Sequence, residues 1–288
     1  MSKIFRVLLL AGLMVGLLVN ALPVSGGTIT TCAQYQGVPV GNYIVQTDYW
    51  NMGQCPGTQC VDIDDQTGSY TVTKATYSCG AAVAAYPSIL YGKAFGSVSP
   101  NSDLPAQVSS LKCVNSDWTF QPTRTGRWDA AYDIWLCPDN QCGPTGFKGG
   151  AEIMVWLDYL NTNGWKTDEG PATIQGMNWE VWRWDVDLGG GLRNYVAYLA
   201  KTHTDSVKNL DLKKFLDDSQ TRGYIQPSWY LYAVEAGNEI ASGGIPFTSK
   251  SFSVSVNKDC GAKLVYVPVP VTPTPTPDLT PEEIPPPP

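Results

Sequence analysis

The sequence predicts an all-β domain, a sandwich or barrel of short strands carrying one packed helix. Only 16% of the residues are charged, while the chain holds 28 Gly, 10 Trp and 15 Tyr. Short segments of alternating hydrophobicity recur along it, and clusters of Gly, Pro, Asn and Asp separate them, which is the pattern of a strand-and-turn fold.

Taken in order, the alternating segments are 41–50, 69–78, 118–120, 130–136, 152–158, 178–185, 194–200, 229–234 and 251–256. Successive side chains of a strand point to opposite faces, so each segment offers one face to a core and one to something else. Residues 205–218 differ: Val207, Leu210, Phe215 and Leu216 form a helical stripe, which predicts one helix lying on a sheet. No internal repeat is visible. The length from residue 26 to residue 266 suits one large sandwich.

The two ends lie outside this domain. Lys3 and Arg6 precede an uncharged apolar run over 7–19 and small residues over 21–27. This reads as a signal peptide over residues 1–25, because the apolar run is shorter than the ~20 residues a membrane span needs. The mature protein is therefore expected to be secreted, extracellular and free of the membrane. Residues 267–288, VPVPVTPTPTPDLTPEEIPPPP, are too rich in Pro and Thr to pack and read as a linker or tail. Without its leader the chain keeps 17 basic and 26 acidic residues. That balance argues against nucleic-acid backbone binding and suits a neutral polymer as partner.

All eight cysteines lie in the exported part. An even number in an oxidising compartment favours disulfides over a four-thiolate zinc site built from Cys55, Cys60, Cys137 and Cys142. Cys137 and Cys142 are expected to pair locally around a Pro/Asn turn; the other pairings stay open on the residues alone. No metal or cofactor is called for.

Three segments place acids among aromatics. In GGAEIMVWLDY, Glu152, Met154 and Trp156 share the face expected to be wet, and Ile153, Val155 and Leu157 form the core face. In AAYDIWL, Asp133 and Trp135 share a face opposite Tyr132, Ile134 and Leu136. Near the C-terminal end, WYLYAVEAGNEIASGG holds Glu235 and Glu239 beside several glycines. Sugar rings pack on indole and thioether surfaces. Two acids converging on such a face is what glycoside hydrolysis requires: one carboxylate attacks or orders water, and a protonated one donates to the leaving oxygen.

The segments YIVQTDYWN, QCVDID, YPSILYG, LPAQVSSL, AAYDIWL, GAEIMVWLDY, NWEVWRWDV and AVEAGNEIASGG run in one order over about residues 31–256. In that order they resemble glycoside hydrolase family 12, the small secreted endoglucanases. The resemblance implies a jelly-roll β-sandwich of two curved antiparallel sheets. The concave sheet would form an open cleft for a β-1,4-glucan chain, cut with retention of configuration. It places Glu152 on the nucleophile and Glu239 on the general acid/base. Asp133 falls on the aspartate that hydrogen-bonds the nucleophile, Met154 on the methionine beside it, and Trp50 on a tryptophan that stacks on a glucosyl unit. Trp135, Trp156 and Asp48 are further substrate-face candidates, with Asp48 standing where the family usually has asparagine. Retention predicts the two carboxyls ~5–5.5 Å apart. The resemblance also pairs Cys32 with Cys60.

Several alternatives stay open at this stage. Glu235, where many relatives carry glutamine, has the same strand parity as Glu239 and is the competing acid. Xyloglucan competes with unbranched glucan as substrate, and a non-catalytic sugar-binding sandwich competes with an enzyme. The tryptophans of NWEVWRWDV alternate onto both faces and receive no role. His203, the one histidine, is expected on the surface, and no GxSxG elbow supports a serine triad. The protein is expected to be a monomer.

Overall fold

Alternating strands bury their apolar faces by pairing two sheets face to face. The computed structural model of the protein describes residues 26–80, 82–142, 147–162, 167–187 and 193–269. The leader and the tail from residue 270 lie outside the described residues. One sheet runs in the order Thr28–Thr31, Gln59–Asp64, Tyr70–Ala75, Phe247–Val256, Val114–Gln121, Thr204–Asp211 and Val265–Pro268. The other runs Thr167–Ile174, Met177–Val186, Arg193–Ala200, Ala151–Leu160, Gly126–Cys137, Tyr230–Gly243, Ser88–Ala94, Tyr43–Gln46 and Gly37–Val40, with Ser97–Val98 and Ala106–Gln107 at its margin. The result is a jelly-roll β-sandwich. Its strand pairs are antiparallel except that Ala151–Leu160 and Arg193–Ala200 run parallel. The chain leaves Ala151–Leu160 for the sheet edge and returns through two hairpins, so the third strand arrives in the starting direction.

The core fills the space between the sheets. Tyr132, Ile134 and Leu136 from one strand, and Ile153, Val155 and Leu157 from its neighbour, face it together with Trp118, Phe120 and Phe247 of the opposite sheet. Trp118 is fully buried, meets Tyr132 edge-on at 5.3 Å and donates through Nε1 to Ser249 Oγ at 3.0 Å. A buried indole therefore brings its large apolar area without leaving its polar atom unpaired.

The helix is Lys213–Thr221, and the first half of the helical stripe is a strand, Thr204–Asp211. The pairing with Val114–Gln121 shifts register between Val207 and Leu210, where Asn209 adopts φ 59. The resulting bulge puts two buried residues three apart on one side of a strand, which imitates a helical period. Asp211 then accepts from the Lys213 and Val114 backbone N–H groups, ending the strand and starting the helix. Phe215 packs edge-on against Trp179 and Tyr198.

Four disulfides are formed: Cys32–Cys60, Cys55–Cys79, Cys113–Cys260 and Cys137–Cys142. Val265–Pro268 pairs with Thr204–Asp211 and so takes in the first residues of the stretch read as linker. His203 is buried, not exposed. Its Nδ1 lies 2.9 Å from Asp158, which also binds Arg124, and its ring packs on Tyr159. A polar ring becomes worth burying once a carboxylate satisfies it. Among the described residues, no helix is long and apolar enough to cross a membrane.

Candidate active site

Gly126–Cys137 is the central strand of the larger sheet, flanked by Ala151–Leu160 and Tyr230–Gly243. Its register sets Asp129 opposite Glu239, Asp133 opposite both Met154 and Glu235, and Trp135 opposite Glu152. Residues two apart share a face, so one face of three adjacent strands gathers Asp129, Asp133, Trp135, Glu152, Met154, Glu235 and Glu239. Register shifts at Arg127/Trp128 and Ala130/Ala131 mark bulges, which bend the strand and deepen this face.

A cleft of about 650 Å³ opens over the face. Glu152, Glu239, Asp133, Trp135 and Arg193 line it together with Asp48, Trp50 and Tyr86. Trp50 is half-buried in its wall, and exposed Tyr35 and Phe95 stand at its rim. The Glu152 face is not wet, as the alternation alone implied. Glu152 is 5% exposed, Met154 lies under Tyr195, whose hydroxyl is 2.8 Å from the thioether, and Trp156 is packed against Trp182 and Tyr159. The curvature of the sheet brings neighbours over this face that a single strand cannot reveal. Met154 and Trp156 thus form the packed floor, outside the cleft lining.

Burial and mutual charge shift the acids, each to a different degree. Burial raises Glu152, and Arg193 opposes the rise, donating through Nε and Nη2 to Oε2 at 2.8 and 2.5 Å. Glu239, half-buried, is pushed up to about 7, chiefly by burial and further by the charge of Glu152, while a hydrogen bond with Asp129 pulls it down. Asp129 stands well above the usual carboxylate range, from burial and from Glu239 beside it. Asp133 is likewise raised by burial and by the charges of Glu152, Glu235 and Glu239. Two carboxyls in contact cannot both ionise cheaply, so Asp129 and Glu239 titrate as a coupled pair.

Glu235 has a different setting. It lies beneath the cleft, 2% exposed, and accepts from Gln46 Nε2 and Ser88 Oγ at 2.7 Å each and from Trp135 Nε1 at 3.1 Å. Burial raises it to about 8. Asp48 is pushed up to about 7 by burial and carries φ 32, a left-handed conformation that aspartate tolerates better than most residues.

Two residues of this site escaped the sequence reading. Asp129 sits two alternations before Asp133, just outside the segment taken as a strand. Arg193 follows a glycine run and begins a strand whose next same-face residue is Tyr195. A charged residue with cleft parity was the available signal in both cases. The tryptophans of NWEVWRWDV divide as their parity allows, Trp179 into the core and Trp182 and Trp184 onto the cleft-side cluster.

The comparisons with known proteins agree with this geometry. The model of glycosyl hydrolase family 12 matches residues 41–257. The chain belongs to this family. It is a glycoside hydrolase of the cellulase type, as the names and folds of its relatives attest. The solved endoglucanase cel12A from Rhodothermus marinus superposes with a TM-score of 0.75 at 40% identity, covering 80% of this chain and 99% of that one. Endoglucanase S of Pectobacterium parmentieri is 30% identical over 84% of this chain and 91% of its own length. A protein of Aspergillus terreus described as a probable xyloglucan-specific endo-beta-1,4-glucanase A is 28% identical over 87% of this chain and 98% of its own.

Proposed function

We propose that this family 12 hydrolase is a retaining endo-β-1,4-glucanase that cuts internal bonds of unbranched cellulose-like glucans, with Glu152 as nucleophile and Glu239 as general acid/base. Family membership supports hydrolysis of β-1,4-glucan, and it sets aside the non-catalytic sugar-binding alternative. The observation that carries the assignment is the contrast between two acids lining one cleft. Burial raises Glu152 while a guanidinium on its Oε2 opposes the rise, and Glu239 is pushed up to about 7. Separated ionisation is what a nucleophile and a proton donor need.

In the first step, a lone pair of Glu152 forms a bond to the anomeric carbon as the glycosidic C–O bond breaks. The leaving oxygen takes the proton of Glu239. The resulting ester has no charge, so the repulsion Glu152 exerts on Glu239 falls and Glu239 can act as base. Water then attacks the anomeric carbon, gives its proton to Glu239, and returns the electron pair to Glu152. Asp133 sits diagonally across from Glu152, its Oδ1 buried without a partner and its carboxyl raised by burial and by the charge of Glu152, which suits the role beside the nucleophile that the family resemblance gives it. Glu235 is excluded from the cleft lining and saturated by three donors, which favours Glu239 as the acid. Trp50, at the half-buried wall, is the platform for a glucosyl ring, and Asp48 is placed to bond sugar hydroxyls beside it. The charged, apolar leader and the four disulfides support export.

The name of the Aspergillus terreus relative keeps xyloglucan as the second reading. Hydrolysis of carboxymethylcellulose, barley β-glucan and tamarind xyloglucan by wild type and Glu152→Gln tests both. A rapid viscosity loss on the unbranched glucans that the substitution abolishes is expected. Preference for xyloglucan would replace the substrate assignment, and full activity of Glu152→Gln would remove the nucleophile.

A further inference from the structure

Among the described residues lining the cleft, Arg193 is the one with a cationic side chain. Parallel pairing of Ala151 with Asn194 and Glu152 with Tyr195 brings the start of its strand beside the nucleophile. Its side chain is 4% exposed, and Nε and Nη2 both fall on Oε2 of Glu152, neither on Oε1. The guanidinium lies 5.0 Å above the Trp135 ring. That ring is itself fixed: Phe147 stacks on it at 4.9 Å, Phe95 meets it edge-on at 4.7 Å, and Glu235 accepts from its Nε1. A cation with a rigid aromatic floor and two bonds to one oxygen has a single resting geometry.

We propose that Arg193 is a positioning residue for the nucleophile: it leaves Oε1 as the attacking oxygen and stabilises the Glu152 carboxylate each time the glycosyl-enzyme breaks down. The proposal rests on Glu152 being the nucleophile. In the first step the Oε1 lone pair forms the bond to the anomeric carbon, and Arg193 remains on Oε2, which becomes the ester carbonyl. In the second, water adds at that carbon with its proton going to Glu239. The anomeric C–Oε1 bond breaks, and the returning electron pair restores a carboxylate already facing a guanidinium. The surroundings of Glu152 are otherwise acidic or neutral: Asp129 and Asp133 on the central strand, Glu235 and Glu239 beyond it, Tyr195 on the strand of Arg193, and Asp48 and Tyr86 from the loops. Arg127 lies on the side of Asp129 and Glu239. Without Arg193, this field would favour a protonated, inert Glu152.

Arg193→Met and Arg193→Lys, measured against pH with an aryl β-cellobioside, test the proposal beside wild type and Glu152→Gln. Arg193→Met is expected to lose about 100-fold or more in kcat with KM changed little, as for loss of a charge-assisted donor at a reacting centre. The acidic limb of its kcat/KM profile should rise by about one pH unit or more, since Glu152 then ionises unaided. Arg193→Lys, which keeps the charge and loses the fork, should regain about tenfold and restore the limb. Circular dichroism and cello-oligosaccharide binding report whether the fold and cleft persist. A Met variant with wild-type kcat and limb overturns the proposal, as does equal loss in both variants with the limb unmoved. If the Met variant does not fold, the Lys variant decides: reduced kcat with the limb in place supports positioning, and wild-type kcat refutes it. Turnover by Glu152→Gln would instead refute the underlying nucleophile assignment.

Discussion

Glu239 and Glu235 share a strand, a parity and a raised pKa, so the pH profile can tell which one supplies the proton. Glu239 stands at about 7 and Glu235 at about 8. The donor must be protonated, so activity falls as pH rises through its pKa. A group near 7 goes from about nine-tenths protonated at pH 6 to about one-tenth at pH 8, a roughly tenfold fall in kcat/KM over that interval. A group near 8 loses only about half its protonated form over the same interval. Initial rates on a soluble cello-oligosaccharide well below KM give the profile of the free enzyme. The tenfold fall is expected, the titration belonging to the Asp129–Glu239 pair as a unit. Glu239→Gln should remove the alkaline limb and cost about 10²- to 10⁴-fold in kcat/KM on a glucan. A dinitrophenyl leaving group needs no protonation and should spare the first step. A limb that persists in Glu239→Gln, or disappears in Glu235→Gln, would refute the assignment.

Other expectations concern stability. The raised carboxyls bind protons more tightly folded than unfolded, so their contribution declines as pH rises from about 4.5 towards 8, and wild type should melt at a higher temperature at pH 5 than at pH 8. Glu235→Gln should therefore stabilise the protein at pH 8, by up to a few kcal/mol in denaturant titration, and change it little at pH 4. Gly237 lies between Glu235 and Glu239, where a Cβ would come within 2.4 Å of the Pro87 carbonyl oxygen. Gly237→Ala should cost about 1–3 kcal/mol in denaturant titration and disturb the acid/base along with it. The Cys113–Cys260 bridge spans 147 residues, and chain entropy gives its removal by paired serine substitutions a cost of about 5 kcal/mol, against about 2 for Cys137–Cys142, readable as separate shifts in denaturation midpoint.

The sandwich was legible because its strands advertise themselves by alternation. Ile153, Val155 and Leu157 could be sent to the core and Glu152 to the other face from period alone. What period cannot convey is a bulge or a covered face. Asn209 turned Thr204–Asp211 into an apparent helix by spacing Val207 and Leu210 three apart. Glu152 read as solvated because the residues that cover it, Arg193 and Trp135, come from two other strands. Ser88–Ala94, buried on nearly every side chain, has no alternation to read. His203 read as surface because its partner Asp158 is 45 residues away in sequence. Asp133 and Glu152 were found because each sits in a strand with an aromatic or thioether of the same parity. Glu235 and Glu239, whose same-parity neighbours are Leu231, Ala233, Gly237 and Ala241, stood out through the glycines beside them and the family resemblance. Asp129 and Arg193 were missed at strand ends, where alternation is shortest.

The nucleophile can be observed directly. Incubation with 2,4-dinitrophenyl 2-deoxy-2-fluoro-β-cellobioside should arrest the enzyme as its glycosyl ester, and peptide mapping by mass spectrometry locates the label. A single stoichiometric adduct on the peptide that contains Glu152, lost in Glu152→Gln, is the result this account predicts. Label on the peptide of Glu235 and Glu239, or full turnover of a normal aryl cellobioside with no adduct at any carboxyl, would contradict it.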